Sequence, residues 1–359
     1  MRVGIAAAGS GGHVYPALAV AQALVEMGLD MDDIVFFGGN RMEATTIPEA
    51  GYRFVELDVH GFRRSLSADN LKLALKVRKA TKVIETVITM LDLDVMVVFG
   101  GYISGPAAQA ARRKSIPLVV HEANAVPGMA NRMIAGRAAL VLVAFEEATK
   151  KLKGAIVVGN PLRASFDGFD RSRDGDAARR RYGIDPGTAV LGIVGGSLGA
   201  SKVNVIAQAI ARTPDRPFHV LHLCGPSHAE ELTRQAASID DWTVVPFEDD
   251  MVHFYAASDL VISRSGALTV AEIQETATPA IVVPLPAGKG YQERNAAALV
   301  AAGGAVMMDQ EDPDAVVGAA FALMADQPRR AEMSVNAGRM GYRHAAKEVA
   351  KRIMEVAGG

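Results

Sequence analysis

The sequence predicts an α/β fold of two doubly wound parallel-sheet domains, and three observations predict it. Short apolar runs alternate with helical patterns along the whole chain. These runs lack the polar alternation of a strand with one wet face, so both of their faces are expected to be buried. The two halves also open alike, each with a strand, a glycine turn and a helix. Strands alternating with helices imply parallel sheets covered by helices on both sides.

In the first half, residues 3–8, 95–99, 118–120 and 156–158 read as strands and residues 17–27 as a helix. In the second half, residues 190–194, 219–223, 243–245, 260–263 and 280–283 read as strands, with helices at 203–211 and 296–302. The matching openings are Ile5-Ala-Ala-Ala-Gly9-Ser-Gly-Gly-His13 and Ile193-Val-Gly195-Gly-Ser-Leu-Gly199-Ala. A break is expected after Gly159-Asn-Pro161-Leu-Arg163, because the proline cannot continue a ladder and a polar segment follows. That gives a first domain of residues 1–162 and a second of residues 163–340. A last helix, about residues 341–359, can pack on either domain and is grouped with the first.

Composition narrows the function classes. At 359 residues the chain is long for one core and suits two domains. Half of it is hydrophobic but only 6% is aromatic, so aliphatic side chains fill the interior. The net charge of −2 gives no global sign of a nucleic-acid partner, and none is expected. Cys224, the sole cysteine, excludes an internal disulfide and a cysteine-based zinc site, and fits a reducing cytoplasm. The opening apolar run is shorter than the ~7–15 residues of a signal-peptide core. Residues 315–325 come nearest to the ~20 apolar residues of a spanning helix and fall short, so no membrane crossing is expected.

Four glycine clusters fall at strand ends: Gly9-Ser-Gly-Gly12, Gly100-Gly-Tyr-Ile-Ser-Gly105, Gly195-Gly-Ser-Leu-Gly199 and Ser265-Gly266. Glycine permits positive φ and close approach of a ligand to the backbone. A helix starting there aims N–H groups and a positive dipole end into the crevice beyond the strand ends. A single such turn is also what any tight strand-to-helix connection needs; four in one chain point to phosphate binding. The dinucleotide fingerprint G-x-G-x-x-G is not met, because Gly9-Ser-Gly11-Gly-His13-Val14 lacks the third glycine. An imidazole suits a substrate hydroxyl better than a pyrophosphate, which sets an oxidoreductase aside.

Taken together, the motifs resemble those of the MurG family of glycosyltransferases in order and approximate spacing. They are Gly9-Ser-Gly-Gly-His-Val-Tyr-Pro16, Gly100-Gly-Tyr-Ile-Ser-Gly-Pro106, His121-Glu-Ala-Asn124, Gly159-Asn-Pro161, Gly195-Gly-Ser197, Arg264-Ser-Gly-Ala-Leu-Thr-Val-Ala-Glu272 and Gln292-Glu-Arg-Asn295. The resemblance runs to about residue 310. It departs from the family pattern at Ala8, Ser10, Ala123, Leu198 and before Gln292. It implies a GT-B fold, with two Rossmann-like domains facing across a cleft. The implied reaction is inverting transfer of N-acetylglucosamine from UDP-GlcNAc to the 4-hydroxyl of undecaprenyl-pyrophosphoryl-MurNAc-peptide, with no metal or other cofactor required.

On this resemblance His13 and Glu122 are the candidate bases, and the sequence leaves the choice between them open. Ser10, Gly11, Gly12, Tyr102 and Asn124 are assigned to the acceptor side. The donor side takes Ser197 and the amides of Ala267, Leu268 and Thr269 for the diphosphate, and Glu272 for the ribose hydroxyls. Gln292 and Asn295, three apart on one helix face, suit sugar hydroxyls. Arg163 suits a phosphate or the hinge, and Glu248 matches a position whose backbone meets uracil. Asp249-Asp250 precedes a helix and reads as a cap rather than a metal pair. The same architecture and donor also suit a UDP-N-acetylglucosamine 2-epimerase or a non-catalytic binding subunit.

An acceptor with an undecaprenyl tail stays in the bilayer, so the enzyme must come to an anionic membrane surface, here the inner face of the cell membrane. In residues 71–91 a helical stripe of Leu73, Val77, Ala80, Ile84, Ile88 and Leu91 is expected to face the core. Leu71 and Leu75 fall off that stripe beside Lys72, Lys76 and Lys79, a pattern suited to an interface helix.

Overall fold

Strand β1, Val3–Ala6, shows why the sheets read as unbroken apolar runs. Val3 and Ile5 enter one core cluster and Ala6 the other, on opposite faces of the same sheet. The period of two is present in space but hidden in sequence, because both faces are apolar. The computed structural model describes residues 1–59, 69–196, 199–286 and 290–358, without the side chains of residues 69–73. Two units divide the chain: Met1–Ala164 with His344–Gly359, and Ser165–Arg343.

In the first unit, β1 is followed by β2 (Ile34–Gly38), β3 (Arg53–Glu56), β4 (Val95–Val98), β5 (Leu118–Glu122), β6 (Leu140–Val143) and β7 (Ile156–Val157). They form a parallel sheet in the order β3-β2-β1-β4-β5-β6-β7, with Ile5 level with Phe36 and Val97. Helix Gly11–Glu26 covers one face, and helices Asp69–Leu91 and Ser104–Arg113 the other. The helix Ala345–Gly358 also belongs here. It buries Val349, Ala350 and Ile353 in the cluster that holds Val14, Val20 and Leu24, and Lys347 pairs with Glu26 at 3.6 Å. Fully burying a side chain such as Val349 or Ile353 is worth about 1.5–3 kcal/mol.

In the second unit, β8 (Val190–Val194), β9 (His219–Leu223), β10 (Trp242–Val245), β11 (Leu260–Ser263), β12 (Ala280–Val282) and β13 (Ala305–Met307) form the parallel order β10-β9-β8-β11-β12-β13. Ile193 is level with His222 and Ile262. The strand order thus turns back once in each unit, at its first strand. That is the doubly wound switch point, where ligands collect beyond the carboxyl ends of the strands.

Some expected elements differ. The first helix begins at Gly11, not residue 17, because it runs through Pro16, which interrupts the sequence pattern. Strands β2, β3, β6 and β13 go beyond the expected set. Asp250 is the N-cap of helix Met251–Ala257 and accepts from Val252 N, which accords with the capping role read from the sequence.

Candidate active site

The first unit builds its site on the turn between β1 and helix Gly11–Glu26. Gly9 takes φ +102°, Ser10 is extended and exposed, and His13 falls in the first helical turn. The His13 Nδ1 lies 3.1 Å from Ala8 O and 3.3 Å from Ser10 Oγ. A carbonyl only accepts, so Nδ1 carries the proton and Nε2 becomes the basic nitrogen. Burial pulls the His13 pKa below its ordinary 6.5, opposed by Glu122, the Ala8 carbonyl and Glu43. The imidazole is therefore held neutral near neutral pH.

Two glycines after β4 make room for that ring. A Cβ on Gly100 would stand 3.0 Å from His13 Cδ2 and Nε2. One on Gly101 would stand 2.5 Å from Ala8 O, the carbonyl that orients the ring. Gly12 faces open space apart from Ser10 Oγ at 3.7 Å, whereas a Cβ on Gly11 would press on the Tyr15 ring at 3.0 Å.

Glu122, at the end of β5, is buried and its oxygens are filled. Oε1 accepts from Asn124 N at 2.9 Å and Asn124 Nδ2 at 3.2 Å. Oε2 accepts from Gly128 N and Asn131 Nδ2, both at 2.9 Å. This carboxylate organises the loop from residue 122 to 131. Asn131, which the sequence did not single out, also donates to His121 O at 3.1 Å. His121 is wholly buried beside Gly159 O, and burial lowers its pKa to about 4. The Tyr102 hydroxyl donates to Glu43 Oε1 at 3.2 Å, so it is engaged within its own unit.

The second unit centres on the turn after β11. Gly266 precedes helix Ala267–Glu275, which places the Ala267, Leu268 and Thr269 amides in the first turn, where a helix supplies no acceptor of its own. Glu272 lies farther along, half-buried, and its Oε2 accepts from the buried Tyr255 hydroxyl at 2.9 Å. Asn295 is buried, with Nδ2 at 3.4 Å from Ser265 O, so it braces this turn. Gln292 Oε1 accepts from Leu285 N at 2.8 Å. Arg264, before the turn, points its buried guanidinium at Val283 O, Pro284 O and Gln310 Oε1 at 2.8–3.1 Å.

The buried Glu248 accepts from Tyr182 Oη at 2.7 Å, Asp250 N at 3.0 Å and Arg181 at 3.3 Å. Burial opposes its ionisation, but those donors outweigh it and the pKa lies below the ordinary carboxylate value. Arg163, grouped with the donor side in the sequence reading, belongs to the first unit, with its guanidinium carbon 5.2 Å from the Tyr15 ring centroid. Ser197 lies outside the described residues. Around it, a Cβ on Gly195 would meet Ala200 N at 2.5 Å and one on Gly199 would meet Cys224 O at 2.2 Å.

On helix Asp69–Leu91, Ala80, Ile84 and Ile88 are buried and Val77 and Leu91 pack against the same core. Leu75 is 65% exposed, Arg78 and Lys79 are exposed, and Lys76 pairs with Asp58 at 2.8 Å. The side chains of Leu71, Lys72 and Leu73 lie outside the described residues.

Comparison with known proteins places this architecture. Residues 3–143 match the glycosyltransferase family 28 N-terminal domain and residues 190–353 the C-terminal domain. A Rhodococcus erythropolis protein named UDP-N-acetylglucosamine–N-acetylmuramyl-(pentapeptide) pyrophosphoryl-undecaprenol N-acetylglucosamine transferase is 36% identical over 99% of this chain and 95% of its own. A Mycolicibacterium smegmatis protein of the same name is 38% identical over 98% and 93%. The crystal structure of Acinetobacter baumannii MurG superposes with TM-score 0.77 at 28% identity, covering 99% of both chains. A Neisseria meningitidis UDP-GlcNAc 2-epimerase, at TM-score 0.71 and 13% identity over 99% of this chain and all of its own, shares the fold. Matched in both of its domains and along its full length, the chain belongs to glycosyltransferase family 28, among the MurG N-acetylglucosaminyltransferases.

Proposed function

We propose that this enzyme transfers N-acetylglucosamine from UDP-GlcNAc to the 4-hydroxyl of undecaprenyl-pyrophosphoryl-MurNAc-peptide, converting lipid I to lipid II with inversion at the sugar carbon. The observation that carries the reading is the His13 imidazole, fixed in one tautomer by Ala8 O and kept neutral by burial. In this scheme Nε2 takes the proton of the 4-hydroxyl as that oxygen bonds to C1 of the donor sugar. The bond from C1 to the UDP oxygen breaks, and the departing diphosphate keeps the electron pair. Positioned base catalysis of this kind is worth about 10²–10⁴ in rate.

The second unit supports the leaving group and the nucleoside. The amides of Ala267, Leu268 and Thr269, with Ser197, meet the charge that develops on the diphosphate. The reading assigns that task to the backbone and calls for no metal or other cofactor. Glu272 receives the ribose hydroxyls, with Tyr255 fixing one of its oxygens. Gln292 and Asn295 stand beside the sugar, and the Glu248 backbone beside uracil. The filled oxygens of Glu122 support a loop-holding role there, which leaves His13 as the base.

None of the described helices is long and apolar enough to cross a membrane. The lipid acceptor is instead met by surface attachment at the cytoplasmic face. Leu71, Lys72, Leu75, Lys76 and Lys79 form the contact, and each basic residue is worth about 1 kcal/mol on anionic lipid. Incubating the chain with UDP-GlcNAc, with and without the lipid-linked acceptor, tests the assignment. Transfer that depends on acceptor supports it. Isomerisation of UDP-GlcNAc without acceptor points to the epimerase, and binding without turnover to a non-catalytic subunit.

A further inference from the structure

Glu43 is a fully buried carboxylate to which the sequence assigned no role. It opens helix Glu43–Glu49, which follows β2. Its Oε2 accepts from Gly9 N at 3.3 Å, and its Oε1 from Gly39 N at 3.1 Å and Tyr102 Oη at 3.2 Å. These three donors follow β1, β2 and β4, neighbours at the centre of the first sheet. One carboxylate therefore ties together three strand ends at the switch point, where ligands bind in such sheets.

The surroundings are shaped to admit it. A Cβ on Gly39 would stand 2.0 Å from the Tyr102 hydroxyl, and one on Gly38 2.9 Å from Glu43 Cγ. Burying a carboxylate is costly unless its oxygens are hydrogen-bonded, and an apolar side chain would fill the space without that cost. A carboxylate is the group that can accept from all three donors together.

The Gly9 N–H and the Ala8 C=O belong to one peptide unit, and a trans peptide points them in opposite directions. Glu43 receives the N–H end, and His13 Nδ1 meets the carbonyl end. We propose that Glu43 is a positioning residue for the transfer reaction, acting on the His13 base through the Ala8–Gly9 peptide plane. Its carboxylate sets the tilt of that plane, and the plane sets the tautomer and the aim of the ring. Hydrogen bonds in series also polarise one another, so the anion makes Ala8 O a stronger acceptor and Nε2 a stronger base. Tyr102 holds the carboxylate from the opposite side. The inference rests on His13 being the base.

The test uses the full-length chain as Glu43→Gln, Tyr102→Phe and His13→Ala, with kcat, the two KM values and the pH profile measured for each. Partners that orient metal-bound histidines are typically worth 10–100-fold, and by that analogy Glu43→Gln is expected to lower kcat by about that factor with the donor KM within about twofold. Glu122, from the end of β5, is the other charged group that acts on His13. With Glu43 uncharged, the acid limb of the profile moves to lower pH, because an anion that raises the His13 pKa has gone. Tyr102→Phe keeps the charge, so it lowers kcat several-fold with the acid limb in place. Wild-type kcat in folded Glu43→Gln, or a loss of kcat with an unmoved acid limb, overturns the inference. If Glu43→Gln does not fold, Tyr102→Phe decides by itself: unchanged kcat overturns the inference. The His13→Ala arm separates the two readings, since near-normal activity there removes the base assignment, whereas inactivity there beside a fully active Glu43→Gln removes only the role of Glu43.

Discussion

The two sheets run their strands in the same order, yet the room left by their glycines is filled by different things. In the first unit a Cβ on Gly100 would strike the His13 imidazole, a side chain. In the second, a Cβ on Gly199 would strike Cys224 O, backbone, and Asn204 Nδ2 holds that same carbonyl at 3.0 Å. At Gly100 the chain makes room for an imidazole, and at Gly199 it is folded against its own backbone. A glycine beyond a strand end leaves room, and what fills that room differs from one unit to the other.

The largest expected effect is on the reactive side. His13→Ala should lower kcat by about 10²–10⁴ in a folded protein that still binds UDP normally. A loss below about fivefold would return the base role to Glu122 or to solvent. In wild-type enzyme, kcat/KM should fall on the acid side with a midpoint below 6.5, since burial holds the His13 pKa down and the base works only unprotonated.

Next comes the carboxylate proposed for the ribose in the second unit. Glu272→Ala should weaken donor binding by roughly one to two decades, because hydrogen bonds to charged groups are worth about 1.5–3 kcal/mol. Unchanged affinity by calorimetry would take Glu272 out of the site.

The glycines test the contrast itself. Gly100→Ala meets a side chain that can shift, so kcat should drop about tenfold by displacing His13, as a misplacement near 1 Å can cost 10²-fold. Gly199→Ala meets backbone instead, and because Gly100 and Gly199 both stand at positive φ, +99° and +76°, each variant should lose stability of the order of 1–3 kcal/mol. Equal losses of kcat in the two folded variants would erase the distinction.

Each unit also buries a histidine, and these should give a smaller, matched effect. His121 and His222 have pKa values lowered by burial to about 4 and about 3. Below pH 6.5 the unfolded chain takes up protons that the folded chain refuses, so stability declines from there down to those values by about 1.4 kcal/mol per pH unit for each histidine. Urea midpoints at pH 6.5 and 5 should show a shallower decline for His222→Gln than for wild type.

What the sequence revealed and what it hid follow one physical rule. Val190–Val194 and Leu260–Ser263 were legible because fully buried parallel strands are uninterrupted apolar runs. Arg53–Glu56 was not, since an edge strand with half-exposed residues carries no such signal. Among the candidate site residues, Glu272 and His13 stand inside glycine motifs and announce themselves. Glu43 and Tyr255 do not, because their meaning lies in partners 34 to 59 residues and 17 residues away. Glu43 reads as a polar helix residue, and Tyr255 as ordinary core.

The terminal helix gives the molecule an order of assembly. Val349, Ala350 and Ile353 belong to the core of the first unit but leave the ribosome after the whole of Ser165–Arg343. Domains tend to fold as units while they are being made, the earlier before the later. Here the later-made unit has all its residues first, while the earlier one waits with the apolar side of helix Gly11–Glu26 uncovered. The unit that carries His13 is closed by a stretch synthesised after the whole of the other unit, so a nascent or truncated chain that stops short of it holds an unfinished first unit.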